Sequence, residues 1–160
     1  MSLNPSRWLS RWEVGSGKIG VILVDHGSRS AASNQLLLEV VEAYCRHAEW
    51  KIVEPAHMEL AEPSIATAFG NCVERGAELI VVFPYFLSPG RHWNSDIPAL
   101  SAKAARAHGD VKYLVTSPLG LHELMLQVID QRIRHCLQHA LSEGPQCEIC
   151  AGATGCSLLP

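Results

Sequence analysis

Neither sign of charge dominates this 160-residue chain, whose 13 Lys and Arg face 16 Asp and Glu for a net charge of −3. That balance excludes a general attraction to nucleic acid or to an anionic membrane, so an anionic ligand must be held by local basic groups. No apolar run approaches the roughly 18 residues of a membrane span. The first residues, with Arg7, Trp8, Leu9, Arg11 and Trp12, lack the apolar stretch of a secretory signal, which leaves organelle import open. Three phosphate-handling signatures are also missing: an Arg-His-Gly triplet, a G-x-x-x-x-G-K-[ST] loop and a G-x-S-x-G elbow. There is no internal repeat and no low-complexity segment. The length suffices for one domain with a real core and is short for two.

Cysteine is scarce over most of the chain and crowded at its end. Cys45 and Cys72 lie singly in expected helices, where a small buried apolar role suits them. Cys136, Cys147, Cys150 and Cys156 form a C-x10-C-x2-C-x5-C set, which argues against a disulfide framework spanning the fold. Four thiols in one segment suit zinc or an iron–sulfur cluster, with a redox disulfide or incidental thiols as alternatives.

Two apolar runs organise what lies between. Val21 to Val24 leads into Asp25-His26-Gly27-Ser28-Arg29, and Val81 to Leu87 leads into Ser88-Pro89-Gly90-Arg91-His92. Runs without internal polarity read as strands buried on both faces of a parallel sheet. Four such strands are expected, over 18–25, 51–60, 78–87 and 111–115. Pro55 makes an unbroken central strand less favourable in the second. Helices are expected from Ser30–Ser33 to Ala48, from Glu62-Pro63-Ser64 to Gly76, over 96–108 and over 121–141. The fold class is therefore α/β, a four-stranded parallel sheet with helices on both faces. An N-terminal arm (1–17), the domain (18–141) and a cysteine-rich tail (142–160) are the expected divisions.

Ligands of open parallel sheets sit outside the carboxyl ends of the strands. His26 and His92 both stand there, although a turn histidine bonding its own loop is the bland alternative for each. Ser28 and the free amides ahead of the first helix can hold an anion, and Gly90 and Arg91 accompany His92. In the second strand, His57 and Glu59 would share a face. Glu59 can bind a metal or accept a proton, or be a solvated edge residue, while Glu62 reads as a helix N-terminal charge. Two imidazoles and a carboxylate suit a divalent first-row metal with open positions and proton abstraction near neutral pH. His47, His108, His135 and His139 read as helix-end or helix-surface residues, and His122, after a strand-end loop, stays a candidate.

The segments Asp-His-Gly-Ser-Arg (25–29), Met-Glu-Leu-Ala-Glu-Pro-Ser-Ile (58–65), Glu-Arg-Gly-Ala (74–77) and Pro-Tyr-Phe-Leu-Ser-Pro-Gly-Arg-His-Trp-Asn-Ser-Asp-Ile-Pro (84–98) resemble those of the small sirohydrochlorin chelatases. These are related to the cobalt-inserting chelatases of cobalamin synthesis. The stretch 53–63 and the cysteine-bearing end look like the plastid ferrochelatase branch that makes sirohaem. The resemblance implies a lyase that inserts Fe²⁺ into sirohydrochlorin and releases two protons. It implies His26 and His92 as metal ligands and catalytic bases, Glu59 as their acidic partner, and Ser28, Arg29, Ser88 and Arg91 around the substrate's carboxylates. It further implies a [2Fe–2S] cluster on Cys136, Cys147, Cys150 and Cys156, and a plastid stroma or otherwise cytoplasmic location. Because larger chelatases enclose the macrocycle between two lobes and this chain has one, a homodimer is expected, with neither nucleic acid nor membrane as partner. The alternatives are a cobalt or nickel chelatase on the same macrocycle, a metal carrier or redox sensor working through its tail, and a phosphate-handling hydrolase.

Overall fold

The computed structural model describes residues 18–141 together with Gly15, Gly144 and Pro145. The N-terminal arm apart from Gly15, and Cys147, Cys150 and Cys156, lie outside the described residues. The chain divides into two compact units, 1–120 and 121–160.

The first unit holds a four-stranded sheet in the order β2-β1-β3-β4, every pairing parallel. Its strands are β1 (Ile19–Asp25), β2 (Ile52–His57), β3 (Leu79–Pro84) and β4 (Lys112–Val115). β1 is buried along almost its whole length, as its unbroken apolar sequence requires of a strand covered on both faces. One face takes α1 (Ala31–His47), whose Leu37 and Val41 pack with Ile19, Val21, Leu23, Val53 and Leu79. The other takes α2 (Ile65–Glu74) and α3 (Ile97–Ala107), joining Ile65, Phe69, Cys72 and Ile97 to Ile22, Val24, Ile80 and Val82. Each fully buried Ile or Phe side chain here is worth about 1.5–3 kcal/mol of transfer free energy.

Helix starts follow local chemistry. Ser30 caps α1 by accepting from the Ser33 amide, and Ser64 caps α2 by accepting from the Thr67 amide. Glu62 accepts from the Ser64 amide at 2.7 Å and from Thr67 Oγ1 at 2.9 Å, which makes it the N-terminal charge its sequence position suggests. Those bonds, the backbone amide foremost, lower its pKa below the ordinary carboxylate value. Gly76 ends the second helix at φ +90°.

One expectation holds and three need correction, among them the buried role of Cys45, which is exposed on α1. Pro55 argued against a central strand, and β2 is indeed an edge strand paired only with β1, where a missing N–H leaves no ladder bond unmade. β2 stops at His57 instead of reaching Leu60, since the chain bends through 58–60 with Leu60 at φ +68°. The loop before α3 is also not open as far as His92: residues His92–Asp96 form a turn of π-helix.

The second unit contains α4 (Glu123–Ala140), capped by His122, whose Nδ1 accepts from the Leu124 amide at 3.2 Å. Asp130 and Arg134 pair along it at 2.6 Å. Its apolar residues Leu124, Val128, Ile129 and Ile133 are exposed.

Candidate active site

His26 leaves the carboxyl end of β1, and His92 opens the π-helical turn that follows β3. The parallel pairing of those strands brings both residues to one sheet edge. Their rings meet edge to face, with centroids 5.1 Å apart and planes at 72°. Glu59, on the bend after β2, brings Oε1 to 2.9 Å from His26 Nε2. Two imidazoles and a carboxylate thus converge from three separate stretches of chain.

Each histidine is held through its other nitrogen. His92 Nδ1 donates to Asp96 Oδ2 at 2.8 Å, one helical turn on, which directs the Nε2 lone pair away from the turn. Phe86 stacks on the same ring at 6.4 Å and 26°. Trp93 Nε1 donates to the Thr116 carbonyl at 2.7 Å and ties the turn to the end of β4. His26 Nδ1 lies 3.2 Å from the carbonyl of Gly27, so the loop bond foreseen as the bland reading is present beside the Glu59 contact. Both rings stay partly open, with side-chain exposures of 43% and 44%.

Below them lies a pair that the strand pattern did not single out. His57 is buried, and its Nδ1 donates to Asp25 Oδ1 at 2.6 Å. The same oxygen accepts the Gly27 amide at 2.9 Å. His57 and Glu59 therefore do not share a face. His57 is the last residue of β2 and points inward, while the bend carries Glu59 outward to His26. Gly27 has φ +82°, and a Cβ there would come within 1.9 Å of the Glu59 carbonyl oxygen. Only glycine permits this approach.

The four residues assigned to substrate carboxylates lie around the histidines in sequence, with differing surroundings. Ser28 is partly buried, its Oγ accepting from the Ser30 amide and its own amide donating to Asn34. Arg29 and Ser88 are exposed. Arg91 is exposed beside Asp96 at 3.8 Å. Glu54, in contrast, is committed to Arg75 and Asn71 on the side of the sheet. His122 serves as the cap of α4. Among the described residues, no three His, Cys, Asp or Glu groups are arranged as a ready metal cage. Cys136 is partly buried.

Asp96 and the pairing of His57 with Asp25 are what sequence reasoning missed. Asp96 had a signal in its i+4 spacing from His92, concealed because a loop was expected there. A separate apolar cavity of about 930 Å³ lies on the α1 face of the sheet, lined by residues such as Val21, Phe83, Tyr85, Tyr113 and Leu114. Its lining includes none of His26, Glu59 or His92.

Residues 20–136 match the model of the CbiX family. The chain belongs to that family. This CbiX-family chain is 52% identical over 139 residues to the chloroplastic sirohydrochlorin ferrochelatase of Arabidopsis thaliana, covering 87% of itself and 62% of that protein. It is 29% identical to a sirohydrochlorin cobaltochelatase of Sulfolobus acidocaldarius, covering 74% of itself and 93% of that protein. Among solved structures, the sirohydrochlorin chelatase SirB of Bacillus subtilis subspecies spizizenii, in complex with cobalt, superposes with a TM-score of 0.69 at 31% identity. That match covers 73% of this chain and 50% of SirB. The chain thus spans less than two thirds of the plant relative and half of SirB, but nearly the whole of the short archaeal enzyme.

Proposed function

We propose that this chain is a sirohydrochlorin ferrochelatase, a lyase that exchanges the two pyrrole protons of sirohydrochlorin for Fe²⁺ to give sirohaem. The observation that carries the reading is the meeting of His26, His92 and Glu59 at the carboxyl edge of the sheet. The 52% identity to the Arabidopsis thaliana enzyme supports iron as the metal and the plastid as the location.

The chemistry follows from the donors. His92, with its Nδ1 proton held by Asp96, offers Nε2 to the incoming metal or to a pyrrole proton. His26 and Glu59 form a second acceptor pair, and Glu59 is free to turn from the imidazole toward metal or proton. Metal enters as the two protons leave, so charge on the ring centre is conserved. Ser28, Arg29, Ser88 and Arg91 hold the substrate's carboxylates by charge-assisted bonds and orient the macrocycle. Its polyanionic character accounts for placing arginine beside each histidine in a chain of net negative charge.

A homodimer supplies the second wall that a one-lobed chain lacks, in keeping with a match that covers half of SirB. The four thiols Cys136, Cys147, Cys150 and Cys156 have the donor chemistry of a [2Fe–2S] site, and iron and labile-sulfide analysis with the visible spectrum of anaerobically purified protein tests that assignment. Cobalt insertion is the second reading, favoured by the cobalt-bound SirB and the archaeal cobaltochelatase.

An anaerobic absorbance assay with sirohydrochlorin and Fe²⁺ tests the function, run beside the double variant His26→Ala, His92→Ala. Rapid conversion of the substrate band by the native chain, lost in the variant, is expected. Equal background rates in both would overturn the assignment. Parallel runs with Co²⁺ and Ni²⁺ rank the metals.

A further inference from the structure

We propose that Asp25 and His57, the histidine buried and the carboxylate partly so, act as a positioning pair that sets the spacing of His26 and Glu59. The inference rests on the reading of those two residues as the metal-insertion groups.

Asp25 and His57 are the last register pair of β1 and β2, so they stand where the two strands release the loops bearing His26 and Glu59. Beyond them the backbones remain joined, with the Met58 amide on the Asp25 carbonyl at 2.9 Å and the Glu59 amide on the His26 carbonyl at 3.1 Å. The Asp25 carboxylate reaches both arms: Oδ1 takes the Gly27 amide from one and His57 Nδ1 from the other. His57 is anchored in turn, its amide donating to the Pro63 carbonyl at 2.7 Å. The result is one closed set of bonds under the 2.9 Å His26–Glu59 contact.

Packing alone does not account for a histidine at this place. Its side chain is 1% exposed, and Nε2 is buried without a hydrogen-bond partner. A buried unpaired ring nitrogen is destabilising, and an aromatic hydrocarbon of similar size would fill the site without it. What the imidazole adds is one donor aimed at Asp25. Groups that orient a ligand-bearing residue typically change metal affinity or activity by about 10- to 100-fold when removed.

The test compares His57→Phe with His57→Asn in the full chain, with His26→Ala as control. Thermal midpoint, Co²⁺ affinity from its visible absorption, and kcat and KM for sirohydrochlorin with Fe²⁺ are measured. Phenylalanine keeps a planar aromatic ring, somewhat larger than imidazole, and loses the donor. It is expected to hold or raise the midpoint, lower kcat by about 10- to 100-fold, weaken Co²⁺ binding by about tenfold and leave KM for sirohydrochlorin within twofold. Asparagine places an amide N–H near the Nδ1 position. It is expected to lower the midpoint and keep kcat within about threefold of native, because the bond to Asp25 survives the loss of the ring. Activity that simply follows stability, with phenylalanine native-like and asparagine impaired, would overturn the positioning role. Should His26→Ala leave kcat and Co²⁺ binding unchanged, the site assignment itself fails and the positioning role falls with it. A control that fails to bind or turn over, beside a native-like phenylalanine variant, rejects the positioning role alone.

Discussion

Single atoms decide whether His26, His92 and Glu59 can work together. The Asp96 carboxylate keeps the His92 Nδ1 proton in place, so Asp96→Ala should lower the rate of metal insertion by about 10- to 100-fold while the protein stays folded by circular dichroism. A rate within twofold of native would show that the tautomer needs no such partner. Gly27 has a different constraint. Gly27→Ala puts a methyl group against the Glu59 carbonyl at φ +82°, and the backbone conformation alone should cost about 1–2 kcal/mol in urea unfolding. Insertion should slow as well, because Glu59 has to move to relieve the clash. Cys72 carries a pH signature. Burial pushes its thiol up to about 12, with Glu54 adding to the shift and Arg75 opposing it. A raised thiol pKa in the folded state means stability is intact below the unfolded thiol value near 9 and declines as pH climbs from there toward 12. The decline should be at most about 1.4 kcal/mol per pH unit and should be missing from the stability curve of Cys72→Ala, so that it appears in the native-minus-variant difference. At pH 8, iodoacetamide should label exposed Cys45 and spare Cys72 until urea is added, a pattern mass spectrometry reads directly.

Among the elements, β2 and the start of α2 form the segment that delivers Glu59. Ser64 caps α2 and bonds Thr67, and Ser64→Ala should cost about 1 kcal/mol of stability, measured as a lowered denaturation midpoint in urea. The Glu62 carboxylate reinforces the same end. Since its pKa is lowered on folding, its support is present above the ordinary carboxylate range and is lost as pH falls through it. The π-helical turn His92–Asp96 plays the matching part on the other strand. It places His92 and Asp96 on one side of the turn and leaves Trp93 to reach the Thr116 carbonyl. The His92 turn is therefore fastened to the end of β4 by a side chain other than the histidine.

At the scale of the whole molecule, the proposed reading gives a lobe of this kind one wall against the macrocycle. Light scattering of the purified chain should give twice the monomer mass, and a monomeric mass at micromolar concentration would remove the two-walled pocket from the mechanism. The match to SirB over half of that chain is the observation behind this expectation.

The parallel sheet, its helices and the strand-end placement of His26 and His92 were legible without coordinates, because each depends on local period: unbroken apolar runs, helical spacing and turns rich in glycine and proline. Glu59 was legible as a carboxylate of interest, although its geometry was not, since the bend after His57 breaks the alternation on which a strand reading relies. Pro55 argued correctly against a central strand, although which edge it occupies depends on strand order, a long-range property. Asp25 and His57, 32 residues apart, met unseen for the same reason. Local sequence determined the elements and which chemistry stood at their ends. Only tertiary structure decided which ends met and which nitrogens were already bonded, because those distances depend on strand order and register across segments far apart in the chain.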